Sequence, residues 1–185
     1  MLTPKAQYQT MQQARGWAGQ TAVTIRPATP NDLDMLVDLH GRLSDESLHK
    51  RFLRVYRPTV EDIAFMVNLE RCRGAAIIAT TRVNQREMAV GLAYYVVEDR
   101  SKPLSAEPAF VVDDWYQGQG IGTRLFEALR QTAVARQVRA FNAVIHPANA
   151  RMKRIFEHSG LPQRHCWRYG EYELHIRLRG GKWYV

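Results

Sequence analysis

The stretch VVDDWYQGQGIGTRLFEALR, residues 111–130, sets three glycines two apart between an apolar run and a helix-period pattern. Glycine weakens strands and helices because it loses more backbone freedom than other residues on folding. Gly118, Gly120 and Gly122 therefore mark a turn whose backbone must adopt conformations, or tolerate approaches, that a Cβ forbids. A helix that starts there presents unpaired N–H groups and a partial positive charge. With no side chains in the way, a phosphate can reach that backbone. The alternative is a tight turn with no ligand.

The rest of the chain reads as one α/β domain. TAVTIRPAT (21–29) alternates and stops at proline, which predicts a strand. Thr29, Pro30 and Asp32 then carry a helix-start pattern, followed at helical spacing by Leu33, Leu36, Val37 and His40. His40 on that face reads as a packed histidine, not a ligand. Thr59 and Asp62 repeat the start pattern before Ile63, Met66 and Val67. GAAIIATTRV and EMAVGLAYYVVE predict two strands joined at NQR, and AEPAFVVDD predicts a third that feeds the glycine loop. VRAFNAVIH is a further strand. ANARMKRIFEHSGL is a short helix with Gly160 at its stop, and CWRYGEYELHIRLR ends in a last turn and strand. The expected fold class is α/β (α+β): a mixed, mostly antiparallel central sheet flanked by helices. Residues 1–20 read as an N-terminal arm, and 21–185 as the domain.

The bulk numbers narrow the function. A length of 185 residues suits one domain with a full core. No apolar run is long enough to cross a bilayer, so no membrane partner is expected. Cys72 and Cys166 are the only cysteines. They make neither a disulfide framework nor a metal cluster, which leaves no metal site and a cytoplasmic setting as the expectation. The net charge of +8 is scattered through the chain, so a nucleic-acid reading rests on charge alone.

Two familiar phosphate motifs do not fit the loop. A Walker A loop needs Gly-Lys-Ser/Thr, which is absent, and Thr123 stands where a dinucleotide fingerprint has its third glycine. Gln117-x-x-Gly120-x-Gly122 after a strand resembles instead the acyl-CoA pyrophosphate loop of the GNAT acyltransferases. Downstream, Asn149, Met152, Phe156 and Gly160 fall where that superfamily carries an Asn-led helix ending in glycine. Upstream, Ile25-Arg26-Pro27, Leu43-Ser44-x-Glu46-Ser47 and Arg51-Phe52 resemble the opening of the acyltransferase domain of bacterial protein lysine acetyltransferases. The resemblance runs over residues 22–165 in one order.

That resemblance implies roles. Backbone groups of Phe110, Val111 and Val112 would lie along the pantetheine arm of acetyl-CoA. The N–H groups of Gln117, Gly118, Gln119, Gly120, Ile121, Gly122 and Thr123 would hold its pyrophosphate, with Asn149 at the pantetheine amides. Glu107 would be the catalytic base. A lysine of pKa about 10.4 must lose a proton before it attacks. A backbone N–H of Val111 or Val112, freed by a bulge, would bind the oxyanion. Many relatives use as general acid a tyrosine where this chain has Phe156; Tyr94, Tyr95 and Tyr116 are other phenols, although aromatic residues in strands are usually packing. Pro108 departs from the pattern too, since it removes one ladder donor and would strain or end the strand.

The expected partners are acetyl-CoA and an amine acceptor, a protein lysine or a small molecule. A small polyamine would need a carboxylate pocket, for which Asp45, Glu46, Glu61 and Asp62 are available; a protein acceptor would need an open groove. A non-catalytic acyl-CoA sensor is the alternative class. Trp167, Trp183 and Tyr184 are candidates for a homodimer interface.

Overall fold

The structure is a computed structural model that describes residues 22–69, 74–97, 105–168 and 170–179. The N-terminal arm, Cys72, Trp183 and Tyr184 lie outside the described residues. In chain order the elements are β1 (Val23–Pro27), α1 (Leu33–Arg42), α2 (Asp45–Phe52), α3 (Val60–Val67), β2 (Ala75–Val83), β3 (Arg86–Val97), β4 (Ser105–Val112), α4 (Ile121–Ala135), β5 (Ala140–Ile145), α5 (Ala150–Glu157), β6 (Gln163–Arg168) and β7 (Glu171–Arg177). Short 3₁₀ turns at Pro30–Asp32 and Asp114–Tyr116 lead into α1 and the glycine loop. No helix among the described residues is long and apolar enough to cross a membrane.

Among the described residues the strands share one seven-stranded sheet of order β1-β2-β3-β4-β5-β7-β6. Among the described residues its only parallel pair is β4 with β5. The β2–β3 hairpin turns on Asn84 and Gln85, both at positive φ (50° and 66°), the backbone a tight two-residue hairpin requires. Helices α1, α2 and α3 cover one face, with Leu36, Leu39, Leu48, Ile63 and Met66 packed on Ile78, Leu92 and Val111. Helices α4 and α5 cover the other, with Leu125, Phe126, Leu129 and Phe156 packed on Val90, Ala93 and Phe141. Each fully buried Leu contributes about 1.5–3 kcal/mol. Gly91 has a packing reason: a Cβ there would meet Leu125 Cδ1 at 2.9 Å, so the glycine lets α4 settle onto the sheet.

Two elements were not foreseen. Helix α2 forms from DESLHKRF, which buries only Leu48, so its apolar period is too sparse to register. Ser44 caps it, accepting from the Ser47 N–H at 3.2 Å. The C-terminal strand is in fact a hairpin, β6–β7, and β6 shows no alternation because Arg164 through Arg168 are all exposed.

The start of α1 is held electrostatically. Arg26 on β1 grips Asp32 with both terminal nitrogens (2.7 and 2.9 Å), and the Thr29 N–H donates to the same carboxylate at 2.7 Å. The guanidinium and these hydrogen bonds hold the Asp32 carboxyl below its usual 3.8, although burial opposes the shift. A depressed folded-state pKa adds stability above the unfolded value and loses it as pH falls through the folded one. Arg26→Gln should therefore cost about 1–3 kcal/mol near neutral pH. In urea unfolding, that difference should close as pH drops below about 4.

Candidate active site

The site begins where β4 and β5 part. They pair only at Ser105↔Ala140 and Ala106↔Phe141, whereas β4 stays in register with β3 from Ala106 to Val112. The Asp113 N–H donates to Val90 O at 3.0 Å, which sets the alternation of the β3–β4 ladder. Glu107, Ala109 and Val111 turn their backbone groups to β3; Pro108, Phe110 and Val112 turn theirs to the gap.

That alternation corrects three expectations. Val111 leaves the set of backbone groups facing the gap and cannot be the oxyanion donor. No bulge frees the donors of β4, because its register with β3 is unbroken; the sheet's register shift lies between β2 and β3, where Val90 of β3 is the extra residue opposite Ala79 and Thr80. Pro108 neither ends nor interrupts β4, because its missing N–H would point into the gap and not at Tyr95 on β3. It sits at the first gap-facing position after pairing with β5 stops, so it withholds the donor that another parallel rung would need.

Beyond β4 the chain enters the glycine loop. Gly118 and Gly120 have φ of 78° and 77°, a region that costs other residues about 1–2 kcal/mol. Gly122 has a different reason: a Cβ there would lie 2.7 Å from Ile155 Cδ1 of α5. Gly120 caps α4, and the first helical bond runs from Arg124 N to Gly120 O at 3.1 Å. The N–H groups of Ile121, Gly122 and Thr123 therefore have no partner within the helix. The Gln117 N–H is not equivalent to these, since it reaches Asp114 O at 3.4 Å. Its side chain braces the loop, donating to Val112 O at 2.9 Å and accepting from Arg151. Gln119 is exposed, and its amide donates to Trp115 O at 3.0 Å.

Two aspartates after β4 tie this loop to the opposite layer, and sequence reading missed both. Asp113 is buried and accepts from Arg42 Nε at 3.0 Å. Asp114 accepts from Ser44 N (2.9 Å), Ser44 Oγ (3.0 Å) and Ser47 Oγ (2.5 Å), which clamps the start of α2 to the loop. Ser44 and Ser47 belong to the Leu-Ser-x-Glu-Ser stretch, so the signal was present without its partner. Across the gap, Asn149 caps α5 through its side-chain oxygen, which accepts from Met152 N at 3.1 Å. Its NH₂ is left to donate.

One cavity of about 1040 Å³ joins these parts: the glycine loop and Asn149 at one end, Phe110 and Val112 between, Glu107 at the other. Glu107 is exposed, on the face covered by α2. Phe156 is buried against Phe126 and Phe110, with ring centres 5.4 and 6.1 Å away, and does not line the cavity. Tyr94 accepts from Arg51. Tyr95 packs on Phe141 in the core, where burial pushes its phenol up. Tyr116 is buried in the cavity wall. His40 is a packed histidine: Nδ1 lies 2.8 Å from Leu36 O, and burial lowers its pKa. Among the described residues no cluster of His, Cys, Asp and Glu has the makings of a metal site.

The acetyltransferase (GNAT) domain family model matches residues 22–162. The chain belongs to the GNAT acetyltransferase family. Members of this family transfer acyl groups from acyl-CoA to amines. This GNAT chain is 31% identical over 140 residues to Acetyltransferase Pat of Mycolicibacterium smegmatis, covering 74% of itself and 40% of that relative's length. Its fold is similar to the GNAT domain of S. lividans PAT (26% identity, TM-score 0.73, 84% of this chain and 90% of that one). It also resembles, in fold alone, yncA of Salmonella typhimurium, whose structure contains acetyl-CoA (16% identity, TM-score 0.67, 89% and 99% coverage).

The aspartate clamp makes a measurable prediction. Asp114→Ala should lower unfolding free energy by about 1–2 kcal/mol. It should also speed hydrogen exchange at the Ser44 amide, while the Arg42–Asp113 contact keeps α1 in place.

Proposed function

We propose that the chain moves an acetyl group from acetyl-CoA to an amine by direct attack in a ternary complex, with a protein lysine as the acceptor. The observation that carries this reading is the single cavity with a glycine loop and a helix N-terminus at one end, a stretch of β4 that β5 does not pair between, and an exposed carboxylate at the other. The phosphates of acetyl-CoA lie against the N–H groups of Gly118 to Thr123, where Arg151 and Arg154 add positive charge. The pantetheine arm follows β4 toward Glu107 and meets the edge of Phe110 and Val112 as an added strand would. Asn149 donates to it from the far wall.

The thioester then falls beyond Val112, nearest Phe110, whose N–H binds the developing oxyanion. Glu107 takes the amine's proton, directly or through water. The nitrogen forms its bond to the acetyl carbon, the C–S bond breaks, and CoA leaves as thiolate. The chain supplies no phenol from position 156, and a thiol of pKa about 8.5 leaves without one. The open, exposed end of the cavity at Glu107 suits a lysine presented on another protein. Three of the four carboxylates weighed for a polyamine pocket are otherwise engaged: Asp45 pairs with Arg57, Glu46 with Lys50, and Asp62 accepts from Tyr56 and Thr59.

The test separates binding from chemistry. Glu107→Gln should bind acetyl-CoA as the parent does in calorimetry, while kcat falls about 100-fold or more. Gly120→Glu, which sets a carboxylate at the loop, should abolish binding. Unchanged turnover in Glu107→Gln would remove the base; unchanged binding in Gly120→Glu would remove the loop.

A further inference from the structure

The acceptor end of the cavity carries a positive charge that the reaction itself does not need. Arg51, near the end of α2, lines the same cavity as Glu107. It is half-buried, and no acidic side chain pairs with it among the described residues. Its Nη2 donates to Tyr94 Oη at 2.5 Å, and its Cζ stands 4.7 Å from the Phe52 ring centre and 5.2 Å from that of Tyr94. These rings hold the guanidinium in one place, and they leave most of its donors without a protein acceptor. Tyr94 lies opposite Ala109 on the neighbouring strand, so the residue that anchors Arg51 stands one cross-strand diagonal from Glu107.

The local backbone carries a second sign of constraint. Leu53 caps α2 at φ 58° and ψ 15°, a left-handed conformation disfavoured for a bulky residue. Glycine is the usual residue at such a helix end. This turn keeps Leu53 and Arg54 in the cavity wall after the helix stops. Arg54 stacks on Tyr56, 4.4 Å from the ring centre, and forms no ion pair among the described residues. Lys50, the remaining cation on this wall, is neutralised by Glu46.

A half-withdrawn guanidinium without a counter-charge is unfavourable, and it repels an approaching ammonium. Both problems vanish if the acceptor brings an anion. Resting on the acetyltransferase reading above, we infer that Arg51 recognises a carboxylate borne by the acceptor close to its reactive amine. For a protein acceptor that is a lysine beside Asp or Glu. For a small acceptor it is an amino acid. The planar fork of arginine matches a carboxylate in two hydrogen bonds, which lysine cannot imitate. The same charge disfavours the ammonium form of the incoming amine and so aids its deprotonation by Glu107.

The experiment measures kcat/KM for peptides in which a single lysine is flanked by Glu, by Gln or by Lys, and for free glutamate and aspartate. The parent protein should prefer the Glu-flanked peptide over the Gln-flanked one by about tenfold, with the Lys-flanked peptide poorest. Arg51→Gln should bring the Glu and Gln peptides within about twofold, leaving KM for acetyl-CoA in place. Arg51→Lys should keep part of the preference, and it stands in if the Gln variant folds poorly. Acetylation of the free amino acids alone, with the same dependence on Arg51, supports the inference with a small acceptor. Turnover without acidic preference, or a preference that survives Arg51→Gln, overturns the inference alone. No turnover on any acceptor overturns the acetyltransferase reading, and the inference with it.

Discussion

The site exists because β4 and β5 pair for two residues and then separate. Parallel strands in one sheet ordinarily continue their ladder, since each unpaired buried N–H and C=O is costly. Here β4 remains fully bonded to β3, and β5 to β7, so the sheet keeps its integrity on both sides of the opening. Past Ala106↔Phe141, β4 and β5 no longer pair with each other, and Val112 O accepts from the Gln117 side chain instead. Pro108 sits at the first rung past the pairing and has no hydrogen to offer β5. An opening made this way needs no bulge, and it gives a cavity lined by alternate backbone groups of one strand.

An opening in a sheet must be braced, and the two aspartates after β4 do this from the helical layer. Asp113 is fixed by Arg42 of α1, and Asp114 by Ser44 and Ser47 at the start of α2. Gln117 closes the set, reaching Val112 O, Ser47 and Arg151. The loop, the strand edge and the helix that carries Arg51 are therefore one mechanical unit. Its position relative to Glu107 follows from β4, which carries both the carboxylate and, five residues on, Val112.

Much of this was legible in the chain. The glycine spacing identified the loop, and the strand before it and helix after it followed from periodicity. What sequence could not do was divide the glycines by cause. Gly118 and Gly120 answer to positive φ and Gly122 to the bulk of Ile155, yet their spacing is uniform. Nor could it set the alternation of β4, which depends on pairing with a strand some twenty residues earlier; Val111 and Val112 are indistinguishable until Asp113 is seen bonded to Val90. Helix α2 and strand β6 were missed because one buries a single leucine and the other is exposed from Arg164 to Arg168. The role of Arg51 depends on Tyr94, 43 residues away, and has no local signal.

The central claim is that acetyl-CoA lies along the gap-facing edge of β4. Amide hydrogen exchange, residue by residue, with and without acetyl-CoA, tests it most directly. The account predicts slowed exchange at Phe110, Val112 and Ile121 to Thr123 on binding, with Val111 slow in both states because β3 already holds it. Protection that skips Phe110 and Val112, or that falls on another strand, would contradict it.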